Sequence, residues 1–124
     1  MNVIFLLIIT FLPVYLVGLF VYKKDREKEP RKLLKKLFIF GMLSCIPTVI
    51  FELILGSFFP SEVSMDIVTL FIYVFVTIAM VEEFFKWIVT YIIGFDNKEF
   101  DHVYDIIVYA VFVALGFAAL ENFL

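Results

Sequence analysis

The chain has 124 residues, of which 64% are hydrophobic and 17 are Phe. An ordinary soluble domain is about 45–50% apolar, so this composition, with a mean hydropathy of +1.06, excludes both a soluble globule and a disordered chain. The net charge of −3 excludes little on its own, because eight of the ten Lys and Arg residues are gathered between Lys23 and Lys36.

A helix needs about 20 apolar residues to cross the hydrocarbon core. Backbone polar groups inside lipid must be satisfied within the segment. The fold class expected is therefore all-α, a polytopic transmembrane helical bundle, with helices over about 3–22, 37–59, 67–93 and 103–124. No internal repeat or linker divides residues 1–124, which read as a single transmembrane domain.

The first stretch has no Lys or Arg before its apolar run and no small-residue cleavage site before Tyr22. Its positive charge follows the run, so an uncleaved span is expected and not a signal peptide. The basic segment that follows, Lys23–Lys36, sits between two apolar spans. That position reads as a cytoplasmic membrane-flanking loop, with the lipid bilayer as partner and no nucleic acid.

On the second stretch Gly41, Cys45, Thr48, Glu52 and Gly56 recur at spacings of three and four. They form a polar seam on an otherwise lipid-like helix. Cys45 is the single cysteine, with no disulfide partner and no metal-ligand spacing, and reads as a small packing residue. Pro47 is a candidate kink point, and so is Gly116 on the fourth stretch. The next loop, Pro60–Asp66, carries no Lys or Arg.

The third stretch carries Glu82, Glu83 and Lys86 among sixteen Leu, Ile, Val and Phe residues. Those sixteen contribute roughly −7 kcal/mol to insertion, while three central charges cost roughly +9. Such a helix is at best marginal in lipid unless pairing, protonation or a wet cavity offsets the charges. Glu82 and Lys86 are four apart, and Glu83 and Lys86 three apart, so both pairs can meet across one turn. Ionisable residues at this depth are functional candidates by default. Trp87 and the Tyr residues read as packing or interface anchors.

The third loop, Gly94–His102, has one basic residue, Lys98. The positive-inside rule then puts loops one and three in the cytoplasm and the N-terminus outside. His102 is the only His and lies beside Asp101, so a solvated role is expected; one His makes no zinc site.

On the fourth stretch Ala110, Ala114, Ala118 and Asn122 recur every four residues, and Glu121 projects within about 20° of Ala110 and Ala114. That small-residue face is expected to pack against another helix, with Asp105 as an inner-end cap or interface residue. Glu52, Glu82 and Glu121 would then turn toward one another. At 1.5 Å per residue they lie roughly 22, 16 and 25 Å from their inner helix ends, so convergence needs tilt, kink or offset. The resulting site is expected to open toward the outer half of the membrane. The chain stops at Leu124 just past a polar pair, and a partial sequence is expected.

Two strings on consecutive helices now combine. Glu82-Glu83-Phe84-Phe85-Lys86 resembles the EExxK motif of the PrsW family of intramembrane proteases, and Gly116-Phe117-Ala118-Ala119-Leu120-Glu121-Asn122 resembles its GFAxxEN motif. The segment Phe100–Asp105 and the later Tyr109 look like the stretch that precedes the second motif. The resemblance covers mainly residues 80–124. It implies kinship with the CAAX-processing and bacteriocin-processing membrane proteases, where a glutamate pair and an FxxxH or FxxxE motif line an intramembrane site. Phe117 and Glu121 match the FxxxE form. It also implies a bacterial plasma membrane, an endopeptidase activity and a membrane-anchored protein substrate such as an anti-sigma factor, cut first from the outer side. The family's third motif, with histidine on a later helix, does not lie within these residues, so the implied catalytic set is incomplete here.

On this reading the catalytic residues are Glu82, Glu83, Lys86, Glu121 and Asn122. Burial and Lys86 could set the two adjacent carboxyls apart, one acting as general base and the other as its orienter. Glu121 would bind the water or a metal, and Asn122 would donate to the oxyanion. Zinc is compatible as a cofactor, with Glu82, Glu83 and Glu121 as all-oxygen ligands. Two other classes fit the same charges: a proton- or ion-coupled membrane protein, and a non-catalytic helical scaffold.

Overall fold

A computed structural model describes residues 2–24, 31–61, 64–95 and 103–123, and among them there are helices and no strands. The order is α1 (Val3–Lys24), α2 (Arg31–Leu43), α3 (Cys45–Gly56), α4 (Ile67–Tyr73), α5 (Met80–Val89) and α6 (Val103–Phe123). Two π-helical segments, Val74–Ala79 and Thr90–Phe95, flank α5 and join it into one long third span. Four helices are long and apolar enough to cross a membrane: Val3–Lys24, Arg31–Gly56, Ile67–Phe95 and Val103–Phe123. The expectations for Lys98, Phe100, Asp101 and His102 lie outside the described residues.

The second span starts at Arg31, six residues before the apolar run begins. Lys, Arg and Leu are good helix formers, and long cationic side chains can lay their stems along apolar surface. Hydropathy therefore marks the apolar core of this helix and misses its basic first turns. At the other end Phe58 and Phe59 donate to the Leu55 and Gly56 carbonyls, both at 3.1 Å, so the last turn tightens and the α-helix stops at Gly56. Within the span the ladder is interrupted at Ser44. Pro47 has no N–H to give the Leu43 carbonyl, which accounts for the break.

Asp66 caps α4 with extended backbone, ψ 167°, without a full capping hydrogen bond. Its carboxylate nonetheless lies beside the Thr69 hydroxyl and the first free N–H groups, and that proximity, Thr69 first, holds its pKa below the ordinary aspartate value.

The core sits between α2 and α6, which make the most extensive helix contact. Leu33, Leu34 and Leu37 pack there against Val108, Tyr109 and Val113. The crossing is backbone to backbone. A Cβ on Gly41 would run into the Val113 carbonyl, and one on Gly116 into the Phe38 carbonyl. Gly116 is therefore not a kink point: α6 runs through it unbroken, and its missing side chain admits α2.

This also corrects the expected packing face of α6. Ala110 and Ala114 are exposed, while Asp105, Val108, Tyr109, Val113, Gly116 and Phe117 are buried. A helix that is apolar all round offers no polar side to identify its outer face. The backbone approach at Gly116 selects the face instead. The seam expected on the second span does form, with Gly41, Cys45 and Thr48 buried and Glu52 and Gly56 half-buried.

Aromatic side chains cover the outside. Phe84, Trp87, Tyr91 and Phe95 form a contiguous ladder of rings 5.4–6.3 Å apart along the exposed face of the third span. On the opposite side α1 leans on α6, leaving between α1, α2 and α6 an open groove of about 640 Å³.

Candidate active site

The adjacent carboxylates of α5 are not equivalent. Successive residues on a helix point about 100° apart, so one must face inward and the other outward. The Glu82 side chain is 19% exposed and that of Glu83 73%. Lys86 joins them from one turn later. Its Nζ donates to Glu83 Oε1 at 2.9 Å and lies 3.7 Å from Glu82 Oε2. The same ammonium stands 4.5 Å from the centre of the Phe117 ring on α6. Lys86 is thus held by two carboxylates and one π face, and it fastens α5 to α6. Thr90 Oγ1 donates to the Lys86 carbonyl at 2.9 Å, where the second π segment begins.

The second span supplies the other wall. The buried Cys45 thiol donates to the Phe117 carbonyl at 3.3 Å. Around it, Ser44 Oγ donates to the Gly41 carbonyl and Thr48 Oγ1 to the Ser44 carbonyl, at 2.6 and 2.7 Å, so the hydroxyls of this seam are satisfied within their own helix. Two turns beyond Cys45, Glu52 is half-buried, and Phe51 meets Phe85 edge-on at 5.3 Å to close α3 against α5. Among the described residues, Glu52 Oε1 and Thr77 Oγ1 are buried polar atoms without a hydrogen-bond partner.

These walls bring the acids together. Glu52, Glu82 and Glu121 lie within electrostatic range of one another, and Cys45 within range of Glu82, Lys86 and Glu121. Three helices therefore contribute groups to one region, but Glu121 and Asn122 at the end of α6 are exposed. Asn122 lies about 100° around α6 from Glu121, so the two side chains do not aim at one point. Sequence reasoning gave Cys45 only a packing role and missed its contact with the second motif. The seam spacing that placed Cys45 one helical turn from Thr48 and two from Glu52 was the available signal.

The fit to a metal is poor. Among the described residues no three His, Cys, Asp or Glu side chains group closely enough to hold an ion. Cys45, the one thiol, is engaged with a carbonyl. Among the described residues, these side chains do not make up even the three protein ligands that a catalytic zinc takes.

Comparison with known proteins bears on the same residues. Protease PrsW of Oceanobacillus iheyensis is 39% identical over 105 residues, covering 85% of this chain and 46% of that protein. Protease PrsW of Geobacillus kaustophilus is 37% identical over 111 residues, covering 90% and 47%. Protease PrsW of Bacillus subtilis is 31% identical over 116 residues, covering 88% and 47%. The chain spans about half the length of these curated relatives. No solved structure matches it. The model of the family described as PrsW family intramembrane metalloprotease matches residues 29–124, which include α2 through α6 and every acid of the site. With most of its length matched, this multi-pass membrane chain belongs to the PrsW family.

Proposed function

We propose that the chain supplies the glutamate-lined part of a peptidase site that cuts a membrane-tethered protein, of which an anti-sigma factor is the substrate class we favour. The observation that carries this reading is the inequality of the acid pair: the Glu82 side chain is largely buried, in electrostatic range of the acids of α3 and α6, while Glu83 is exposed, with Lys86 between them. Glu82 is then the general base. It takes a proton from water as the water oxygen bonds to the scissile carbonyl carbon, and returns it to the leaving amine as the C–N bond breaks. Lys86 holds the ionised carboxylate in place, and Glu83 orients Lys86. Glu121 positions the water from the α6 side. Asn122 donates to the developing oxyanion once α6 meets substrate. A metal ion, zinc included, would need ligands beyond the described ones, and the steps above run on the chain's own groups.

The basic residues at the facing ends of α1 and α2 support a topology with that end in the cytoplasm and the N-terminus outside. The acids then lie toward the outer half of the bilayer, within reach of a substrate cut from outside.

The test is cleavage of a tethered substrate by the full-length protein. Glu82→Gln should lower the rate at least about 100-fold with the folded yield unchanged. Undiminished cleavage in both Glu82→Gln and Glu83→Gln would remove the assignment. Glutamate-dependent proton flux in liposomes without any proteolysis would replace it with a proton-coupled reading.

A further inference from the structure

The groove between α1, α2 and α6 lies on the other side of α6 from the acids. Its two ends differ in chemistry. One end is lined by Arg31 and Lys35, which share a face of α2 at a spacing of four, with Tyr22 of α1 across from them. The Arg31 guanidinium lies 5.9 Å from the centre of the Tyr22 ring, so one cation is held at the mouth. The remainder is apolar and runs down α1 past Gly18 to Phe11, with Leu115 among the α6 residues that form its back. From Phe11 to Tyr22 is about 16 Å along a helix. The hydrocarbon core is about 30 Å thick, so the groove runs the depth of one leaflet.

We infer that this groove is a binding site for one anionic phospholipid, its phosphate between Arg31 and Lys35 and an acyl chain along α1. Charge complementarity selects the headgroup: two cations one helical turn apart line the mouth, and basic clefts between helices at a membrane face bind anionic headgroups. The lining selects the tail. A peptide laid in the same groove would bring backbone N–H and C=O groups against apolar walls, where each group left unsatisfied is strongly unfavourable. An acyl chain brings none. At Gly18 a Cβ would meet Leu115 at 3.6 Å and Phe112 at 3.9 Å, so the floor of the groove is already in ordinary contact with α6. The site is separate from the acid cluster and does not depend on the peptidase reading.

The experiment is native mass spectrometry of the detergent-solubilised full-length protein after equilibration with equal amounts of phosphatidylglycerol and phosphatidylcholine. Phosphatidylglycerol should be retained about tenfold over phosphatidylcholine. Arg31→Gln with Lys35→Gln should bring that ratio close to one. Lys32→Gln with Lys36→Gln removes the same charge from the same helix, but neither residue lines the groove; that pair should keep the preference. Gly18→Leu, which leaves the cations in place and adds bulk where α1 meets Leu115 and Phe112, should reduce retained phosphatidylglycerol severalfold. Equal retention of the two lipids, or an equal loss in both double variants, would overturn the proposal. So would the absence of any retained lipid, as expected if the rest of the protein fills the groove.

Discussion

The third and fourth spans sit side by side and are built on opposite terms. In the most apolar stretch of the fourth, 39% of residues are buried; in that of the third, 6%. The fourth is an uninterrupted α-helix pressed backbone to backbone against α2 at Gly41 and Gly116. The third is broken into α, π, α and π segments and carries two carboxylates and an ammonium. The contrast teaches that the candidate chemistry rides on the loosely packed helix and borrows its position from the tightly packed one. Phe117 is the point of loan, taking Lys86 on its ring and Cys45 on its carbonyl.

That division can be broken by experiment. The largest effect expected is on cleavage: Glu82→Gln should cost at least about 100-fold, and Glu83→Gln much less, because Glu83 reaches the site only through Lys86. Equal losses would mean that the inward and outward acids are not distinct. Next in size is Gly116→Ala, which pushes a methyl into the Phe38 carbonyl and should destabilise the fold by about 3 kcal/mol. Gly18→Ala, with ordinary contact distances, should leave stability within about 1 kcal/mol. Thermal unfolding in detergent compares the pair, and similar midpoints would show that the crossing is not the structural anchor. Lys86→Met should cost roughly 2 kcal/mol, between the values for exposed and buried ion pairs. It should also loosen α5 from α6, read as faster amide exchange in α5 while α2 stays protected.

Asp66→Asn should have the smallest effect. A folded carboxyl whose pKa is lowered gives its stabilisation above the unfolded value and loses it as pH falls through the folded one. The helix start at Ile67 should therefore fray only below the ordinary aspartate range, and in the variant it should lose that pH dependence. Circular dichroism between neutral pH and strong acid checks this.

Much of this was legible in the residues. Apolar length alone gave four spans, because a bilayer imposes a length on any helix that crosses it. Spacing gave the Glu82–Lys86 and Glu83–Lys86 pairs, because both fit one turn. Three features were hidden. The inner face of α6 was hidden because Ala110, Ala114 and Gly116 are all small, and only the position of α2 decides among them. The π segments were hidden because a shift of the hydrogen bond from i+4 to i+5 leaves no mark in hydropathy. The inequality of Glu82 and Glu83 was hidden because adjacent residues share a depth and differ only in azimuth, which neighbouring helices fix.

The Gly41–Val113 and Phe38–Gly116 approaches join residues 72 and 78 positions apart, with the whole third span made between them. During synthesis, which runs at about 5–20 residues per second, α5 leaves the ribosome before the helix that will shelter its charges exists. The charged span must wait for several seconds in the insertion machinery or beside α3, with its ammonium and carboxylates compensating one another. The order of assembly of these helices therefore differs from their order in the chain: only when α6 slots against α2 does the earlier helix acquire its lasting place.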